Sequence, residues 1–130
     1  MPIDASALLS ILFREPDYER LLEALDKADS VAVGAPTLAE AKIVLGARLG
    51  FEKVFLLDEL LRRMDAEVVP FDREHADEAV RAYRRFGKGR HPAALNFGDA
   101  MSYAAAKLAG KPLLFTGSDF SETDVQAALS

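Results

Sequence analysis

Four acidic residues, far apart in the chain, carry the chemistry this sequence can offer: Asp4 after Met-Pro-Ile, Glu40 in APTLAEA, Asp99 in NFGDA, and Asp119 after Leu113, Leu114 and Phe115. The three aspartates fall where a short apolar run gives way to a helix-starting pattern, so folding is expected to bring them to one edge of a parallel sheet, with Glu40 on an adjoining helix. Carboxylates crowded at close range do not all stay ionised without a cation, and hard divalent cations such as Mg²⁺ choose oxygen ligands. The chain has no cysteine, which excludes thiolate catalysis and disulfide frameworks, and its only histidines are His75 and His91. Neither lies near Ser6 or Thr116 in sequence to act as a base, so a serine triad is disfavoured. The residues read first as a metal-dependent enzyme.

A second feature is cationic. Lys and Arg total 16 against 21 Asp and Glu, a formal charge of −5, which argues against a protein that coats nucleic acid. Yet Val80 to Phe97 contains Arg81, Arg84, Arg85, Lys88 and Arg90, with His91 and no acid. Such asymmetry steers an anionic ligand even on an acidic protein. A cluster of this kind is usually a solvated face, but Arg84, Arg85, Lys88 and Arg90 stand just ahead of Asp99. Phosphates held there beside a metal held by carboxylates is the division of labour of a nuclease.

The elements that must position these groups alternate. Residues 1–4 read as a short buried strand and 5–13 as a helix; 17–29 place Tyr18, Leu21, Leu22 and Leu25 on one helical stripe. A strand is expected at 30–34, then a helix opened by Pro36 and Thr37 and closed near Gly50. Residues 52–64 put Val54, Leu57, Leu61 and Met64 on one face, and 67–71 are extended. A helix is expected over 73–86, with Ala76, Ala79, Val80, Tyr83 and Phe86 inward. Gly87, Gly89 and Pro92 break regular structure. A helix over 98–109 and a strand over 112–116 complete the series. This is an α/β chain, one domain over residues 1–130, whose right-handed βαβ crossovers surround a parallel sheet with ligands bound beyond the strands' carboxyl ends. No apolar run approaches the roughly 20 residues that span a bilayer, and no basic segment precedes Asp4, so a soluble, cytoplasmic protein is expected.

Each acid also has a plainer role. Asp4 and Asp99 stand at helix starts, where aspartate caps well, and Thr37-Leu38-Ala39-Glu40 matches a capping box. Capping and metal binding are compatible, because the helix N-terminal field favours the ionised carboxylate. His75 reads as structural and His91 as a surface or phosphate-contacting residue.

The segments MPIDASALLSILFREP, APTLAEAKIVLGARLG, VVPFDREHADEAVRAYRRFGKGRHPAALNFGDAMSYAAAKLAG and PLLFTGSDFSETDV together resemble the PIN-domain family, most closely the VapC-like toxin ribonucleases of bacterial toxin–antitoxin pairs. The resemblance covers nearly the whole chain, and FGKGRHPAALNFGDA is its most specific string. It implies a single PIN-like α/β/α domain with a central parallel sheet flanked by helices, and an endoribonuclease site dependent on Mg²⁺ or Mn²⁺. By position, Asp4, Glu40 and Asp99 form the acidic core. In relatives the next acid can precede the aspartate of the DF pair; that position is Ser118 here, leaving Asp119 as the nearest carboxylate. The expected metal ligands are Asp4, Asp99 and Asp119, with Glu40 positioning the metal or the attacking water. Ser6 and Thr116 would line the site and Asn96 support it. The resemblance also implies a homodimer and a VapB-like antitoxin partner, with operator DNA bound by the antitoxin and not by this chain.

Two other readings compete. A non-catalytic PIN-like module would use its groove only for a partner peptide, and Ser118 is the residue that favours it. A phosphoryl-transfer receiver domain also gathers acids at strand ends but needs a lysine after a late strand, and Lys111 precedes the last one.

Overall fold

In a computed structural model that describes residues 1–129, the elements follow the alternating order. Six α-helices and two strands appear among the described residues: α1 (Ala5–Leu12), α2 (Tyr18–Lys27), β1 (Ala32–Gly34), α3 (Ala35–Leu49), α4 (Phe55–Arg63) after a 3₁₀ turn at Phe51–Lys53, β2 (Glu67–Val69), α5 (Arg73–Phe86) and α6 (Phe97–Ala109). Strands β1 and β2 pair in parallel, Ala32 with Glu67 through Gly34 with Val69.

Parallel bridges widen this pair into a sheet. Pro2 bridges to Ala32, Ile3 to Leu114, and Leu113 to Ala127. The bonds alternate along residues 1–4: Ile3 N–H donates to the Ala32 carbonyl and Asp4 N–H to the Leu114 carbonyl, each at 2.9 Å. The last strand expected over 112–116 is thus paired only at Leu113 and Leu114, because the chain turns away after Phe115.

Side-chain alternation separates two faces. Leu114 joins Ile3, Leu8, Val33, Leu45 and Leu57 in one apolar cluster under α1 to α4. Its neighbour Leu113 joins Phe86, Leu95, Tyr103 and Phe120 in another, under α5 and α6. The result is a parallel sheet between two helical layers. No helix among the described residues is long and apolar enough to cross a membrane.

Two expectations need correction. Ala76, Val80 and Tyr83 do not face inward: all three are exposed, Val80 and Tyr83 by 59% and 40%, and the buried stripe of α5 is Ala79, Ala82 and Phe86. One row of α5 packs on α6; the adjacent apolar row lines an open groove with Phe71, Phe97 and Met101. The Thr37–Glu40 capping box is also absent. Helix α3 begins earlier, with Gly34 as its N-cap and Pro36 in its first turn, so Thr37 already lies inside the helix.

Candidate active site

The bridged strand of residues 2–3 ends at Asp4, which becomes the N-cap of α1: its Oδ2 accepts from the Ser6 N–H at 3.1 Å. The expected capping role is therefore real. Its Oδ1 accepts a short hydrogen bond from Ser102 Oγ, and Thr37 Oγ1 lies 3.1 Å from that same Ser102 oxygen. With Ser102 donating to Asp4, Thr37 donates to Ser102. All three are buried, and they tie the first strand to α6 and α3.

Asp99 sits in the first turn of α6, buried, as the N3 residue of a capping box with Asn96. Asn96 Oδ1 accepts from the Asp99 N–H at 2.8 Å, and Asp99 Oδ2 accepts from the Asn96 N–H at 3.1 Å. Burial pushes the Asp99 pKa up to about 6; the Asn96 hydrogen bond opposes the shift, while the charges of Asp119, Asp4 and Glu40 add to it. Glu40, half-buried on α3, is also raised, first by burial and then by Asp4. Asp99 is therefore within electrostatic reach of Asp119, Asp4 and Glu40, and Glu40 of Asp4, with Asp4 directly after the bridged first strand.

Asp119 is exposed. Ser6 and Thr116, 110 residues apart, meet: the Thr116 N–H donates to Ser6 Oγ at 3.1 Å, and Thr116 Oγ1 is 3.3 Å from Ser10 Oγ. His75 caps α5 with Asp72 through its ring Nδ1, as a structural residue does.

The donor set suits a hard cation: every candidate group is a carboxylate, no nitrogen or sulfur competes, and the uncompensated quantity is negative charge. Among the described residues no buried side-chain polar atom lacks a hydrogen-bond partner, so what a cation would relieve is repulsion. The acids are not drawn into a finished cage, since no three His, Cys, Asp or Glu among the described residues are gathered to hold an ion as they stand. Asp4 and Asp99 spend oxygens on helix caps instead.

The cations divide between two surfaces. Arg84, Arg85 and Arg90 line a recess beside α5 and α6 together with Arg81 and Lys107. Lys88 lines the apolar groove on the other side, which Arg84 also reaches. Arg85 is ion-paired with Asp124 at 3.4 Å but largely exposed.

Two residues of the site went unread in the sequence. Ser102 lies one helical turn from Asp99, so the spacing carried a signal. Gly98 had none: a Cβ there would stand 2.8 Å from the Glu40 Cδ and Oε1 atoms, so only glycine lets α3 bring its carboxylate against α6.

The family model described as PIN domain matches residues 1–126. A relative named Ribonuclease VapC, from Mycolicibacterium smegmatis, is 48% identical over 128 residues, covering 98% of each chain. Among solved structures, Mycobacterium tuberculosis VapC20, described as a sarcin-ricin loop cleaving toxin, superposes with a TM-score of 0.76 at 16% identity, covering 95% of both chains. VapBC2 from Rickettsia felis, solved with a DNA fragment from its promoter, superposes with a TM-score of 0.70 at 16% identity, covering 97% of this chain and 94% of that one.

Proposed function

The chain belongs to the PIN-domain family, and from that membership we propose that it is a metal-dependent endoribonuclease, the toxin of a VapBC-type toxin–antitoxin pair. The observation that carries the reading is that Asp99, whose pKa burial pushes up to about 6, also feels the charges of Asp119, Asp4 and Glu40, which add to that shift. Asp4, Asp99 and Asp119 are assigned as ligands of Mg²⁺, with Mn²⁺ as a substitute. When bound, the ion supplies positive charge for the phosphodiester oxygens and lowers the pKa of water.

The chain's own residues do the rest. Ser102 and Asn96 hold the Asp4 and Asp99 carboxylates in place. Glu40, kept against α6 by Gly98, orients the attacking water. Arg84, Arg85, Lys88 and Arg90 attract the RNA backbone, and Ser6 and Thr116 fix the strand end beneath the scissile phosphate.

Relatives named for ribonuclease and toxin activity support RNA as the substrate. The VapBC2 assembly supports a VapB-like antitoxin, which takes over DNA binding. The groove lined by the exposed Val80 and Phe97 offers a face for that antitoxin, and the exposed Ile43, Phe51 and Phe55 offer apolar surface for a second copy in a homodimer. A cysteine-free chain suits the reducing cytoplasm, where we place it.

The test is cleavage of RNA by purified protein with Mg²⁺ or Mn²⁺. Cleavage that stops in excess chelator and returns with metal is expected. RNA left intact at every metal concentration, by protein that still binds an antitoxin peptide, would replace this reading with the non-catalytic module.

A further inference from the structure

Asp124 is a carboxylate outside the acid cluster that the protein itself neutralises. Tyr103 Oη donates to its Oδ1 at 2.5 Å, and Lys107 Nζ and Arg85 Nη1 approach Oδ2 at 3.1 and 3.4 Å. Tyr103 and Lys107 are successive turns of α6, the helix whose first turn carries Asp99.

The segment so clamped carries Asp119. Gly117 leaves the last strand with a φ of +83°. Two turns follow, closed by the Ser121 and Thr123 N–H groups donating to the Ser118 and Phe120 carbonyls at 3.1 Å. Asp119 lies inside the first turn, exposed, and its carboxylate makes no hydrogen bond among the described residues. It stands between two anchors. Phe120, immediately after it, is 2% exposed and packs with Phe86, Leu95 and Leu113. Asp124 is the other. Apolar packing is non-directional and fixes only depth, whereas hydrogen bonds fix direction.

The surrounding cations invite a different reading, a phosphate recess. Their pairing argues against a built phosphate site in the recess, while leaving the long-range attraction of RNA that their exposed heads exert: Glu78 holds Arg81 at 2.7 Å, and Asp124 holds Arg85 and Lys107. Two acids already use three of the five cations.

We propose that Asp124 is a positioning residue: held by Tyr103, Lys107 and Arg85, it sets the direction in which Asp119 faces Asp99 and hence the affinity of the acid cluster for its dication. This rests on Asp119 being a metal ligand, as proposed above.

The experiment is Mn²⁺ binding by the full chain, followed by electron paramagnetic resonance, in wild type, Asp124→Asn, Asp119→Asn, their double variant and Asp99→Asn. Asp124→Asn keeps the shape and removes the charge. It should weaken Mn²⁺ binding by up to about 10-fold, the low end of the loss seen when a group bonded to a ligand is removed, because Asp124 reaches Asp119 only through the chain between them. In the Asp119→Asn background it should add nothing, because there is no ligand left to orient. Tyr103→Phe retains the buried ring; it should show the same dependence on Asp119 and serves in place of Asp124→Asn if that variant fails to fold.

Unchanged affinity in Asp124→Asn, or an equal loss with and without Asp119, overturns the proposal. Either result alongside lost binding in Asp99→Asn leaves the acid site standing. Full binding in Asp99→Asn removes both.

Discussion

At the start of α6, Asp99 faces three other carboxylates and its pKa is pushed up to about 6, whereas Asp124, docked one to two turns further on, lies below the usual carboxylate range. Burial acts on both in the same direction. At Asp124 it is outweighed by hydrogen bonds from Tyr103 and Lys107 and by the charges of Lys107 and Arg85; at Asp99 the neighbours reinforce it. One helix thus holds, docked on its side, a carboxylate the protein has already neutralised and carries in its first turn another it has left to repel its surroundings. Perturbed groups of the second kind cluster where function, not stability, sets the arrangement.

Substitution should separate the two ends by sign. Asp99→Asn keeps an acceptor for the Asn96 N–H but removes a ligand charge, so RNA cleavage should fall by more than about 100-fold, beyond the range of outer-shell losses. In metal-free protein the same change should raise the melting temperature by a few degrees, while Asp124→Asn should lower it; calorimetry reads both. Two shifts of the same sign would erase the contrast.

A smaller effect is expected from Gly98→Ala. The added methyl meets the Glu40 carboxylate, the free end of a flexible side chain, so the fold should survive and Glu40 should swing away. Cleavage should drop about 10-fold, the low end of losses for groups that position a metal site, with little change in melting temperature. Wild-type rates would remove Glu40 from the mechanism.

On the cationic face, Arg84→Glu should weaken RNA binding and lower the slope of log affinity against log salt by about 1, as expected for a lost phosphate contact. An unchanged slope takes Arg84 off the substrate path.

The smallest effect is on stability against pH. Because the folded-state pKa of Asp99 is raised above its unfolded value, the native state holds more protons between about 4 and 6, and metal-free protein should become more stable as pH falls through that window. Asp124 acts oppositely: its depressed pKa stabilises the fold above the unfolded value, and that contribution is lost on further acidification. Denaturant melts at stepped pH should show the first limb in wild type and not in Asp99→Asn.

Much of this was legible along the chain because local rules governed it. The 73–86 helix matches α5, and Asp4 is a cap as its position before Ala5-Ser6-Ala7 suggests. Where sequence reading failed, a tertiary choice had overridden a local pattern. Thr37 looked like an N-cap, but Gly34 and Pro36 start α3 sooner and free its hydroxyl for Ser102. Val80 and Tyr83 fit the inward period of α5, yet α6 covers only the neighbouring row. Gly98 and Asp124 matter through groups 58 and 21 residues away, Glu40 and Tyr103, and nothing in local spacing announces such a meeting.

The most direct measurement is calorimetric titration of Mn²⁺ into metal-free wild type, Asp4→Asn, Glu40→Gln and Asp99→Asn at pH 7.5. Saturable binding by wild type, lost in Asp4→Asn and Asp99→Asn and weakened in Glu40→Gln, is the expected result. Equal binding in all four would mean that the acids at the strand ends do not share a cation.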